Sequence, residues 1–541
     1  MLDQLDFNNV LNIIEYLNVL DSSRLSMTAR RNYYLVQEYR RLRGPEVVTS
    51  SSWDPTTCQQ RSSTWVASEP IRKLQQPPNL VLAFNTSRST LEEELPKHIP
   101  PSTVVLGACA DSIQVNLGGV ANVECHSNAS TMFASFPNAD ILPFWFYRNF
   151  NQDVQDFQEK LSSKGPNHWK AIIVYASGIG LSFVEAFVSY TQANFPDITI
   201  VGGMCSEGYV TRARHNKSDL QRMTVRQLVS LLRSLGGSQD ASALEKSDLV
   251  NMIWELEQSP QNRTLEHADD GVFGVALGGD VPVRSMVSRG VKSILHGTPQ
   301  PSSPYIVKTV NLCRPDDPDF IFQGHDLDPI HMIRELTHRD TGCTITAMEM
   351  LNRAEGEAEF IGIKRPNEEG FELHMIGPYC QTVNAFMVMT DGSAAQEQSL
   401  EGAEVDFFYL SGEACCEDMD LTVRKLRDQT QGEEILGAVM FSCNGRGPER
   451  GGLIPEVMSD ATRFAKVFPD VPCLGFYAGG EIGPVALAGN QNVFRKGRAA
   501  VQGFTAVFCL FIVPVVERRD YNLDDCPDSV QAYVRDRLLL S

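Results

Sequence analysis

The run ILGAVMFSCNGRG (435–447) is an apolar stretch that breaks abruptly into the small and polar residues Cys443, Asn444, Gly445, Arg446 and Gly447. A second run, PCLGFYAGGEIGP (472–484), repeats the pattern, with Gly479 and Gly480 followed by the acid Glu481. Short apolar runs bounded by glycine read as buried strands of an α/β sheet. The loops that follow strand C-ends in such sheets gather free backbone N–H groups and are where ligands bind. Cys443, Asn444, Gly445, Arg446, Gly447, Gly479, Gly480 and Glu481 are therefore the candidate ligand-binding residues. The glycines permit positive φ and close backbone approach. Arg446 is suited to fork onto a carboxylate or phosphate, and Glu481 to accept an ammonium group. Facing one pocket, the two would hold a small zwitterion such as an amino acid. The alternative is that they pair with each other as a structural clasp.

Cys443 invites a catalytic reading, but a thiol nucleophile needs a neighbouring base. The nearest histidine is His374, upstream, and none follows it. A cysteine at a strand end reads better as a small buried hydrophobe. No catalytic residue is assigned, and a binding protein is expected rather than an enzyme. GGVAN (118–122) and GIGLS (178–182) lack the full dinucleotide fingerprint, so no cofactor is expected.

Working outward, strand-like runs alternate with helical patterns: NLVLAF (79–84), TVVLGAC (103–109), AIIVYASG (171–178), ITIVGG (198–203) and GVFGVALGG (271–279), then EFIGIK (359–364), FMVMT (386–390) and VDFFYL (405–410). The pattern predicts an α/β (α+β) body in two halves, 78–300 and 358–516, joined by a connecting region, 301–357, and followed by a tail, 517–541. VVLGACADS, IVGGMCSEG and VMFSCNGRG form a weak internal echo: apolar strand, small residue, cysteine, polar residues. The run AAVQGFTAVFCLFIVPVV (499–516) reads as one or two buried strands rather than a membrane span, because it contains Gln502, Thr505 and Pro514.

The chain has 541 residues, with 42% hydrophobic, 21% charged and a formal net charge of −20. This is a globular composition, and the acidic balance argues against nucleic acid as a partner. The 13 cysteines are odd in number and form no CxxC, so neither a disulfide framework nor a zinc site is expected. With an acidic N-terminus that lacks a basic signal region, the expected location is cytosol or nucleus.

Residues 1–43 are helical in pattern, with Phe7, Val10, Leu11, Ile14, Leu17 and Leu25 at helical spacing. Residues 44–77, rich in Ser, Thr, Pro and Gln, read as a linker. A helical module ahead of a linker needs a surface to dock on. The order Val10, Leu11, Ile14, Tyr16, Leu17, Asp21, Arg24, Leu25, Ser26, Arg30 and Tyr33 resembles an F-box, with Leu5–Asp6 where that family has Leu-Pro. The resemblance implies docking to the Skp-type linker and cullin of an SCF ubiquitin ligase through Phe7, Val10, Leu11, Ile14, Leu17 and Leu25. The C-terminal motif of Cys443, Gly445, Arg446, Gly447, Phe464, Phe468, Pro469, Pro472, Gly475, Phe476 and Gly480–Gly483 resembles the C-terminal FIST domain, and the strands upstream resemble its N-terminal half. Together these imply a receptor whose body holds a protein substrate or a small amino-acid-like ligand. An intracellular ligand sensor without a ligase role is the alternative.

Residues 217–257 interrupt the first half with a helical hairpin, MTVRQLVSLLRSLGG and ALEKSDLVNMIWELE. Leu228, Leu231, Leu232, Gly236, Lys246, Leu249, Val250 and Ile253 resemble a SAP-type motif. Five basic against six acidic residues leave this stretch near −1, which favours a protein-docking or structural hairpin over a DNA-binding one.

Overall fold

The computed structural model describes residues 45–514 apart from internal stretches, the longer of which are 55–58, 117–122, 212–216, 235–243, 259–264, 314–329, 351–357, 381–384, 389–399, 448–453, 455–458 and 490–493. The docking residues Phe7, Val10, Leu11, Ile14, Leu17 and Leu25, and the tail 517–541, lie outside the described residues.

One unit of structure occurs three times. Each begins with two parallel strands joined by a helix: Leu80–Asn85, Leu91–His98 and Val104–Cys109; Trp169–Ser177, Val184–Asn194 and Thr199–Met204; Glu433–Cys443, Ser459–Val467 and Cys473–Ala478. These strands are buried along most of their length, which is why they read as unbroken apolar runs rather than as alternating ones. The next strand of each unit then leaves its own sheet. Ile113–Asn116 pairs with Cys473–Ala478, Glu207–Thr211 with Val104–Cys109, and Glu481–Ala488 with Thr199–Met204. A last strand returns antiparallel to the first: Ala129–Ser135, Gly271–Gly279 and Thr505–Pro514.

The registers agree. Phe84 lies opposite Ala108 and Ser130, Tyr175 opposite Gly203 and Phe273, and Phe441 opposite Phe476 and Val507. The rings of Phe84, Tyr175 and Phe441 meet in a fully buried triangle, with centroids 5.9, 6.5 and 5.7 Å apart. The body is thus a three-fold exchange of strands around these rings, not the two halves expected from the sequence. In register, VVLGACADS and IVGGMCSEG correspond to CLGFYAGGE rather than to VMFSCNGRG.

Two pieces are inserted into this frame. In the second unit, helices Lys217–Arg222, Val225–Ser234 and Lys246–Gln258 stand between the paired strands Glu207–Thr211 and Leu265–Ala268. They enclose their own core of Leu228, Leu231, Leu232, Leu249, Val250 and Ile253. Thr224 caps the middle helix reciprocally with Gln227: its N–H donates to Gln227 Oε1 at 2.8 Å, and its Oγ1 accepts the Gln227 N–H at 3.3 Å.

Between the second unit and the third, six antiparallel strands close in a ring: Tyr305–Cys313, Ile330–His338, Ala385–Val388, Phe371–Cys380, Phe360–Lys364 and Glu404–Leu410, the last pairing back onto the first. Closure removes the exposed edges an open sheet would carry. The expected division at 301–357 and 358 cuts through this barrel, because a closed ring draws strands from both sides of any boundary.

The expected linker at 44–77 is also corrected. Strand Glu46–Ser51 pairs with Ala129–Ser135, and helix Ser63–Lys73 buries Val66, Ala67, Pro70 and Ile71. The serines that made this stretch read as a loop are satisfied inside the sheet. Ser50 Oγ donates to Val66 O at 2.8 Å, Ser130 Oγ to Ser51 Oγ at 3.0 Å, and the Ala129 N–H to Ser52 Oγ at 3.0 Å. The C-terminal run forms two strands, Phe494–Gln502 and Thr505–Pro514. Among the described residues no helix is long and apolar enough to cross a membrane.

Candidate functional site

Strands Glu433–Cys443 and Cys473–Ala478 run side by side, with Cys443 opposite Ala478, so the two predicted loops emerge at the same end of one sheet. Gly475 has no room for a Cβ against the Met440 carbonyl, which explains the glycine inside the strand. Beyond Cys443 the chain makes a 3₁₀ turn, Asn444–Arg446. The Cys443 sulfur accepts the Gly445 N–H at 3.4 Å, and a Cβ on Gly445 would meet the Phe504 ring. None of Gly445, Gly447, Gly479 and Gly480 takes positive φ; close approach, not backbone sign, is what Gly445 supplies. The residue that does take positive φ is Phe504, at +58°, in the turn before strand Thr505–Pro514. A bulky side chain there is strained by roughly 1–3 kcal/mol, the kind of strain that collects at functional sites.

The two charged candidates part company. Arg446 is 1% exposed and forks onto Asp460, with Nε donating at 2.9 Å and Nη2 at 2.7 Å, while Nη1 reaches the Phe504 carbonyl at 3.4 Å. Burial alone would push the guanidinium toward neutrality, but Asp460 more than offsets this and holds its pKa well above the ordinary value. Asp460 sits in the first turn of helix Ser459–Val467, where the helix dipole favours an acid. The sequence reading thus had the right geometry for Arg446, a fork on a carboxylate, and the wrong partner. It is neither turned to a zwitterion nor clasped to Glu481.

Glu481 has no exposed surface. Its Oε2 accepts the Thr505 N–H at 3.0 Å and the Thr505 hydroxyl at 2.9 Å, whereas Oε1 meets no hydrogen-bond partner. Burial pushes its carboxyl up to about 8, against the lowering effects of the two Thr505 bonds, of the Cys443 thiol and of the Arg446 charge, so the folded protein holds Glu481 mostly protonated at neutral pH. Its nearest titrating neighbour is Cys443, whose thiol is pushed up to about 12, first by burial and then by the Glu481 charge. A protonated thiol beside a protonated carboxyl is a poor nucleophile.

The structure therefore joins Cys443, Gly445 and Glu481 through the Phe504–Thr505 turn. Gly480 packs against the Met204 sulfur, and Gly479 is exposed at the rim. Asp460, Phe504 and Thr505 were missed by sequence reasoning. Asp460 alone left a trace, as an acid at a helix start. Alongside lies a second missed acid, Asp418, whose Oδ2 accepts from Ser288 Oγ at 2.8 Å and from the Arg289 N–H at 2.7 Å, its pKa raised by burial.

Uncharacterized proteins of Mycobacterium bovis and Mycobacterium tuberculosis are each 34% identical over 111 residues, 20% of this chain and 25% of theirs. A second uncharacterized M. tuberculosis protein is 26% identical over 284 residues, 49% of this chain and 68% of its own length. The chain thus spans about a quarter of the length of the first of these relatives. No F-box model matches the N-terminal residues. The FIST C model matches from the last strands of the barrel, through the Arg446 turn and its helix, to Glu481 and Pro484: a FIST C domain is present at residues 388–484.

Proposed function

We propose that this chain is a recognition subunit whose FIST body binds a target protein or small ligand, and whose N-terminal F-box-like residues couple that body to the Skp-type linker and cullin of an SCF ubiquitin ligase. An F-box ahead of FIST halves is the arrangement of F-box only protein 22, which this chain resembles in that order. The observation that carries the binding half is Glu481, an acid held without exposed surface at the meeting of two strand-end loops. Keeping an acid wholly out of water costs stability that a purely structural site would have shed. The ligase half is supported by the sequence pattern around Val10, Leu11, Ile14 and Leu17. Binding rather than chemistry is supported by the protonated state of Cys443.

Leu11→Asp or Leu17→Asp places a charge on the docking face, and recovery of the linker and cullin in a pull-down should vanish while the body keeps its melting temperature. If 45–514 loses stability in step, the helices belong to the body and the ligase reading fails. A second reading, a ligand sensor without a ligase role, is favoured by the same Glu481 geometry. Absence of linker and cullin from the wild-type pull-down, with a thermal shift on adding amino acids that Glu481→Gln abolishes, would select it.

A further inference from the structure

The second unit carries its own strand-end turn, and the site just described does not use it. After strand Trp169–Ser177 the chain makes a 3₁₀ turn, Gly178–Ser182, in the place that Asn444–Arg446 takes in the third unit. Its geometry is fixed from several sides. Gly178 sits at φ +50°, where a Cβ would collide with the Asp270 carboxylate, and a Cβ on Gly180 would collide with the Gly271 backbone. The Ile179 N–H donates to Asp270 Oδ1 at 3.0 Å, and the Phe183 N–H to the Gly180 carbonyl at 3.0 Å.

What this pinned turn presents to solvent is apolar. Ile179 is 46% exposed and Leu181 43%. Half-buried aromatic rings adjoin them. Phe183 stacks on Phe150 at 4.9 Å, and Trp145, which donates to the Asp270 carbonyl at 2.9 Å, stacks on Tyr147 at 5.9 Å. A single exposed leucine is ordinary. An aliphatic pair held rigid beside aromatic rings is the make-up of an interface anchor, since no ordering cost remains to be met on binding.

Among the described residues, acids outnumber bases around the turn, with Lys160 at the far end of the helix Phe150–Ser162. Asp153 and Asp156 lie on the helix Phe150–Ser162 that begins with the stacked ring, Glu185 lies in the first turn of the next helix, and Asp269 is exposed beside Asp270. Asp153 is crowded enough that burial, and then Asp156, raise its pKa. The neighbouring Arg148 lies outside the described residues. A second copy of the same acidic face would be repelled, in a chain whose net charge is already −20.

We propose that Ile179 and Leu181 anchor a segment of a partner protein that carries apolar side chains flanked by lysine or arginine. The proposal goes beyond the reading above and would stand even if residues 1–43 docked nothing. Its test is selection of short random peptides displayed on phage against the full chain, with the consensus peptide then synthesised, labelled and titrated by fluorescence anisotropy. Enriched peptides should combine aliphatic or aromatic residues with Lys or Arg, and binding should weaken as salt rises. Ile179→Asp and Leu181→Asp should each weaken it at least roughly tenfold with an unchanged melting temperature, because both side chains are exposed. If either aspartate variant melts early, Leu181→Ser is titrated in its place against the same expectation. The proposal is overturned if nothing is enriched, if the enriched peptides are acidic, or if they bind the folded variants as tightly as wild type. It is equally overturned if the chain proves dimeric by light scattering and Leu181→Asp disperses the dimer.

Discussion

Removing Arg446 leaves Asp460 as a buried carboxylate without its bidentate partner. Arg446→Ala should therefore cost about 3–5 kcal/mol in a urea titration, far more than a solvent-facing arginine would. If Asp460→Asn costs as much and the double variant costs little more than either, the two act as one unit. A loss below about 0.5 kcal/mol for Arg446→Ala would place the guanidinium in solvent after all. Glu481 predicts a pH dependence of unusual sign. The folded protein keeps its proton up to about pH 8, whereas an unfolded glutamate releases it near 4.5. Between those values the folded state binds more protons than the unfolded one. The stability linked to Glu481 is thus fully present below the lower value and is lost as pH rises through the window, by about 1.4 kcal/mol per pH unit for one proton. Glu481→Gln should flatten denaturation midpoints measured from pH 5 to 8 and leave the variant the more stable protein at the alkaline end. An unchanged slope would move the proton to another acid, with buried Asp418 the first suspect. That Cys443 and Glu481 share a strand end was legible in the sequence, because each closes an apolar run. The Arg446 partner was not, because a buried ion pair is made by tertiary packing and the acid the motif singles out, Glu481, was the wrong one.

Helices 217–258 show how an element can be complete by itself. Their apolar positions bury one another, with Leu228, Leu232, Leu249 and Ile253 at or near zero exposure. The strands on either side end as register partners, Thr211 opposite Leu265, so the chain leaves and re-enters the body at one point. Replacing 212–264 by a short Gly-Ser link should therefore leave a folded body with an unchanged melting transition, followed by circular dichroism. Loss of the body's cooperative transition would show the helices to be part of its core. Their spacing was legible because amphipathic helices announce themselves at period 3.6. The strand at 46–51 was hidden for the opposite reason. Its signal in EVVTSS is hydroxyl pairing across a sheet, between Ser50, Ser51 and Ser52 and the strand at 129–135, and hydroxyl-rich sequence is shared by loops and by such strands alike. The barrel strands were each visible as short apolar runs, but ring closure rests on pairings between residues some hundred positions apart, Tyr305 with Val405 for example, which no local pattern records.

At the scale of the whole molecule, the three units are held together by strands that each unit lends to another. The repeat was hard to see in the sequence because one insertion sits inside the second unit and another between the second and third, and because equivalence lies in register rather than in residue identity: Glu481 of the third unit corresponds to Gly208 in the second and Ile113 in the first. Among the described residues the units converge at the ring triangle of Phe84, Tyr175 and Phe441, closed off by Phe476 at 5.2 Å from Phe84, 5.4 Å from Tyr175 and 5.3 Å from Phe441. Tyr175 is the odd member. Its ring is fully buried, and its hydroxyl finds no hydrogen-bond partner. A buried hydroxyl left unmade costs on the order of 1–3 kcal/mol, whereas the ring itself contributes as any core aromatic does. The two effects can be separated. Tyr175→Phe keeps the ring and removes the orphan, so it should raise stability, by up to about 1–3 kcal/mol. Tyr175→Ala and Phe441→Ala remove a ring from the point where all three units meet and should each cost about 3–5 kcal/mol. If the exchanged strands make the body one cooperative unit, both alanine variants should shift a single transition seen identically by circular dichroism and tryptophan fluorescence. A Tyr175→Phe variant less stable than wild type would mean that the hydroxyl has a partner, and separate transitions would mean that the rings are not the hub on which the three units depend.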